Sequence, residues 1–191
     1  DALRQFLTAP ARQFLHQRLD LRLADETLLG DDVEPLLAPG GGLEKQQLQQ
    51  QIFEALLGGH ETGLYERLRA RALLPSGPLG RRQLDAMVDV LRPYAQAFAG
   101  WRGGAVPDAP RIVLPLPGLQ LHARLKDVYP HGIARVRFGA ANGPSAIRDG
   151  LDWLLASAAE LRLPLVQFHD GGDAGIGPFV REPLDPALAR A

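Results

Sequence analysis

The sequence predicts an α+β fold, and three observations carry that prediction. Apolar residues in the first half recur at helical spacing, two short stretches of the second half alternate strictly between apolar and polar residues, and a Gly/Pro-rich run at 102–110 separates the two regimes. The chain has 191 residues, 46% hydrophobic and 23% charged, which suits one core or at most two small ones. No apolar run approaches the roughly 18 residues of a membrane span, and the first residues do not read as a signal peptide. Cysteine is absent, which excludes disulfides, a thiolate nucleophile and any Cys-ligated zinc or iron–sulfur site.

Each element follows from local pattern. Leu3, Phe6, Leu7, Phe14, Leu15 and Leu19 keep helical spacing around Pro10, which predicts a short helix, a break, and a second helix from about Pro10 to Arg18. Residues 20–42 read as a loop, acidic and then Gly-rich. The stripe of Leu43, Leu48, Ile52, Leu56 and Leu57 predicts a helix that Gly58 and Gly59 stop. A further helix is expected over 64–72, a turn over 74–80, and a helix over 83–99 that Pro93 should kink or break. Arg111 to Leu114 reads as a strand. Leu119 to Lys126 and Ile133 to Phe138 alternate with period two, and Tyr129-Pro130-His131-Gly132 is expected to join them as a hairpin. A helix over 145–161 with Ser145 as N-cap and a strand over 163–169 complete the series. A helical subdomain at 1–103 and a sheet core at 104–191 are expected. With no initiator Met, and a helix start at Asp185-Pro186 that ends within about a turn, the chain is expected to be a fragment of a longer subunit. No repeat of fixed period is present.

Net charge is -1, so the global field gives no steer, but local charge does. From Asp20 to Glu34 there are six acids against Arg22, and from Arg111 to Arg137 five bases against Asp127. If the two alternating strands pair, Arg124, Lys126, Arg135 and Arg137 form a cationic strip, suited either to phosphates or to simple solvation with the stems covering apolar surface. His122 and His131 lack the partners of a metal site. The glycines at 40–42 and 171–177 lack the Lys-Ser/Thr of a phosphate loop, and Ser76 and Ser157 lack a nucleophile context. Asp149, Asp152 and Glu160 read as a solvated helix face. From the residues alone no catalytic centre emerges.

The strand–strand–helix–strand order with a helix in front is that of the PD-(D/E)xK, or restriction-endonuclease-like, core. The opening Leu3-x-x-Phe6-x-x-x-Pro10-x-x-x-Phe14-x-x-x-x-Leu19 resembles RecB-type nuclease domains and their relatives. Three further pieces resemble the C-terminal domain of RecC, the gamma subunit of bacterial exodeoxyribonuclease V. They are Asp32-Val33-Glu34-Pro35-Leu36 followed by Leu43 and Leu48, Leu74-Pro75-Ser76-Gly77-Pro78-Leu79-Gly80, and Leu121 to Gly139 with its central Pro130-x-Gly132. The resemblance runs from Leu3 to about Phe168. Active members of that fold hold Mg²⁺ with an Asp on the second core strand and an Asp/Glu-x-Lys on the third. Here those positions fall on or near Lys126 and on Arg135 and Arg137, and cations there repel Mg²⁺.

The resemblance therefore implies a non-catalytic domain that needs no cofactor and no metal, within an ATP-dependent helicase–nuclease that repairs double-strand breaks. Its partners would be DNA, as duplex fork and single strands, and RecB-like and RecD-like subunits, in the cytoplasm and away from membranes. Arg124, Lys126, Arg135 and Arg137 are the expected DNA contacts. Tyr129 and His131 at the hairpin tip either stack on an unpaired base or pack the tip. The alternatives are an active Mg²⁺-dependent nuclease using Asp149 or Asp173, and a purely structural docking domain, which an exposed apolar patch on the helical half would favour.

Overall fold

The computed structural model describes residues 2–19 and 35–191, so the acidic run at 20–34 lies outside the described residues. The chain opens with α1 (Ala2–Thr8) and α2 (Pro10–Leu19), separated where Pro10 takes the first position of the second helix. Three helices follow, α3 (Gly42–Gly58), α4 (Leu64–Ala70) and α5 (Gly77–Arg102). Then come β1 (Arg111–Leu116), β2 (Leu119–Arg124), β3 (Val128–Tyr129) and β4 (Gly132–Ala140). The series ends with α6 (Gly143–Ala158), β5 (Leu165–Asp170), a 3-10 turn (Gly172–Ala174), β6 (Phe179–Arg181) and α7 (Pro186–Arg190). The fold is α+β, with one two-stranded and one four-stranded sheet among the described residues.

Two compact units divide the chain. One contains α3, α4 and α5, with residues 172–176; the other contains the strands, α6 and α7, together with the residues of α1 and α2. In the helical unit Leu48, Ile52, Leu68 and Leu91 are fully buried. Tyr65 donates its hydroxyl to the carbonyls of Pro75 (2.9 Å) and Gly77 (3.2 Å), which ties the 74–77 segment to α4. The turn expected over 74–80 is in part the first turn of α5, which starts at Gly77. Helix α5 also continues through Pro93 instead of breaking. Pro93 and Asp89, whose carbonyl loses its donor, both lie on the exposed face, where that carbonyl is open to solvent.

The strand pairing differs from the hairpin the sequence suggested. Strand β2 pairs antiparallel with β1, in a register that sets Arg111 opposite Arg124 and Val113 opposite His122. The connection is Pro117-Gly118, with Gly118 at φ +76, the position where a turn needs a left-handed residue. The 119–126 stretch never reaches β4, because the chain bends after Arg124. Leu125 is fully buried, and Asp127 adopts φ +54. Beyond the bend, β3 makes only the pairs Val128–Ile133 and Tyr129–Gly132 with β4, around Pro130-His131. Gly132, at φ +157, admits the Pro164 carbonyl, which a Cβ would meet at 3.0 Å.

Strands β4 and β5 run parallel and adjacent, connected by α6, and β6 closes the sheet antiparallel to β5. This is the crossover unit that places a helix against a sheet face. Asn142, not Ser145, caps α6. Its side chain accepts from the Ser145 amide, and the Ser145 hydroxyl reaches back to the Asn142 amide, a reciprocal box. Ile112 and Leu114 of the hairpin join Leu125, Ile133, Leu155 and Leu165 in one apolar cluster. Helix α7 starts as the sequence predicts, with Asp185 accepting from the Ala187 and Leu188 amides.

Candidate nucleic-acid interface

The expected cationic strip is split in two. Arg135 and Arg137 share a face of β4 with the fully buried Ile133, and that face is covered by α6. Asp149 and Asp152, expected on a solvated face, are buried and point at these arginines. Arg135 Nη2 lies 2.6 Å from Asp152 Oδ2, in a pair whose side chains are 16% and 7% exposed. Its Nε is 3.7 Å from Asp149 Oδ1, and its Nη1 is 3.8 Å from Asp127 Oδ2. Nη1 also donates to the carbonyls of Ala134 (2.6 Å) and Lys126 (3.0 Å). One guanidinium thus fastens the bend at 126–127 to α6, with charge-assisted bonds in a water-poor setting.

Arg137 completes the group, with Nη2 3.9 Å from Asp149 Oδ2, while Gln167 donates to the same oxygen at 3.0 Å. Burial holds the Arg137 guanidinium below its ordinary range; Asp149 pulls it back up and Arg148 adds to the lowering. Glu160 does lie in solvent, where it pairs with Arg190 at 2.7 Å. Aspartates at i and i+3 on a helix, facing arginines at i and i+2 on the preceding strand, were the sequence signal for this network.

Arg124 and Lys126 are placed quite differently. Both are exposed, and among the described residues neither has an acidic partner. Arg124 Nε donates to the Ala109 carbonyl at 3.3 Å, which leaves the rest of the guanidinium facing out. Directly opposite stands the exposed Arg111, a site residue that sequence reasoning missed. The Pro117-Gly118 turn between two apolar-alternating runs was the signal that would have paired it with Arg124. Like charges directly opposite across a ladder are destabilising, so this pair adds nothing to the stability of the hairpin.

At the tip, Tyr129 is buried, the placement expected of a residue that packs the tip. His131 is exposed beside it. The metal expected of an active nuclease core does not fit these residues. Arg135 and Arg137 of β4 repel a cation, and the nearby Asp149 and Asp152 are already engaged by their guanidinium groups. Asp173 sits in the 3-10 turn, not on a strand. Among the described residues no cluster of three or more His, Asp or Glu side chains is arranged to hold a metal ion, and no helix is long and apolar enough to cross a membrane.

The family model of the RecC C-terminal domain matches residues 1–191. No curated protein sequence matches the chain.

Proposed function

Because the chain belongs to the RecC C-terminal domain family, a part of the gamma chain of exodeoxyribonuclease V in DNA repair and recombination, we propose that it is a non-catalytic domain on a PD-(D/E)xK core. It guides DNA strands and docks neighbouring subunits in the cytoplasm. The parallel β4–α6–β5 crossover supports the core. The observation that carries the loss of hydrolysis is the Arg135–Asp152 pair at 2.6 Å: an internal cation lies among carboxylates where an active enzyme needs Mg²⁺.

DNA contact falls to the exposed cations. Arg124 and Lys126, joined by Arg111, present charge without internal neutralisation, and phosphate contacts of this kind are sequence-independent. His131 lies exposed on the turn after the bend. Arg135 acts indirectly, by holding the bend that sets Lys126, and Arg137 stands behind it on Asp149. Docking of RecB-like and RecD-like subunits is supported by the apolar residues α1 and α2 leave exposed, Phe6 and Phe14 about half so, with Leu3 and Leu7.

The test is fluorescence anisotropy of a forked DNA at several salt concentrations, with a Mg²⁺ cleavage gel on the same samples. Salt-sensitive binding without cleavage is the expected result. Cleavage would establish an active nuclease, and absence of binding would leave docking as the function.

A further inference from the structure

The unneutralised cations border a cavity. It has a volume of about 520 Å³ and lies between the β1–β2 hairpin, α6 and Leu3 of α1. That is within the roughly 300–1,000 Å³ of sites for small ligands. Arg111, Arg124 and Lys126 line it together with His122, and among the described residues no Asp or Glu does. The remaining walls are apolar, with Ile112, Leu121, Leu151 and Leu155 contributing.

The arginines of the second cavity and of the β4–α6 interface already have polar partners. The cavity of about 330 Å³ in the helical unit is lined by Arg67 and Arg71. Arg67 is bound to the carbonyls of Thr62 and His60, and Arg71 to Gln51. Arg135 and Arg137 are held by aspartates. At the hairpin the fold sets two arginines opposite each other beside a lysine, next to an apolar hollow whose lining holds no acid among the described residues.

We propose that this cavity is a nucleotide-sized subsite. It takes one unstacked nucleotide of a single strand, the base against the leucine and isoleucine walls and the adjoining phosphate on Arg111, Arg124 and Lys126. This rests on the DNA-guiding reading above and adds to it a place for a base. An anion relieves the repulsion between Arg111 and Arg124, which supplies a reason for their pairing. Arg124 is steadied by its bond to Ala109, so little freedom is lost on contact. Apolar walls hold the flat face of any base, and they offer no array of donors and acceptors to read its edges. The subsite is therefore indifferent to sequence.

The discriminating probes are two short oligomers of equal length and charge, an oligothymidylate and its abasic counterpart, measured by anisotropy on the whole chain. The base-bearing oligomer is expected to bind roughly tenfold tighter, the return on about 55 Å² of apolar surface removed from water. Ala123→Leu, which fills the cavity wall without touching charge, should bring it down to the abasic level with the melting temperature kept. Photocrosslinking of a 5-iodouracil oligomer to the unaltered chain should label residues of 111–126. That arm stands even if Ala123→Leu fails to fold. Equal affinity for the two oligomers, a base preference that survives Ala123→Leu, or crosslinks confined to other segments would overturn the subsite while leaving DNA guiding intact. Binding of neither oligomer would overturn both.

Discussion

The β4–α6 interface and the β1–β2 hairpin use the same side chain for opposite ends. On β4, Arg135 is turned against a helix that supplies two buried aspartates, and it bonds to two main-chain carbonyls besides. On the hairpin, Arg111 and Arg124 face each other, and no Asp or Glu among the described residues lines the cavity beside them. The first arrangement removes charge from the surface and fixes a backbone bend. The second concentrates charge at the surface at a small expense in stability. What separates them is the element packed on the strand's polar face: α6 covers it in one case, and solvent in the other.

That contrast is open to direct attack. The largest effect is expected from Arg135→Ala, which strands Asp152 as a buried carboxylate and leaves Asp149 to Gln167 and Arg137. Loss of one partner of such a pair costs about 3–5 kcal/mol, read as a lowered urea midpoint. A loss below about 1 kcal/mol would mean the network is solvated and not structural. The double change Arg135→Met with Asp152→Leu sharpens the point. Removing both charges should restore most of the lost stability, since apolar groups of like volume often replace a buried pair without penalty.

A smaller effect belongs to Asn142→Ala. It breaks the reciprocal box that starts α6 and should cost about 0.5–2 kcal/mol in the same assay. The smallest stability change, and of the opposite sign, is expected from Arg111→Gln with Arg124→Gln. Relief of the facing charges should stabilise the chain by about 0.2–1 kcal/mol, while its affinity for forked DNA falls. A destabilised double variant would place these arginines in the fold and not in binding.

The sequence shows most elements of this fold and less of its site. Helices α3 and α7 were legible from an apolar stripe ending in Gly59 and from an Asp-Pro start. Strand identities were legible from alternation, but the partner of 119–124 was not. Alternation fixes which residues share a face and leaves open which strand lies alongside. The left-handed Asp127, a conformation few non-glycine residues adopt, carried no signal of the bend that separates β2 from β4. Asp149 and Asp152 misled for a related reason. A charged helix position reads as solvent-facing until the opposing strand is known to carry arginines at matching height. The same ambiguity hid Arg111, whose role depends wholly on the residue across the ladder. Composition and motif order were enough to suggest the family, and they said little about which cations remain free to act.

The most direct measurement is the salt dependence of forked-DNA binding by the unaltered chain and by Arg111→Gln/Arg124→Gln/Lys126→Gln. If these three cations contact phosphates, the slope of log K against log salt should shrink by about 2, and binding at low salt should weaken with it. A slope and affinity identical to those of the unaltered chain would contradict the assignment of DNA contact to the hairpin rim.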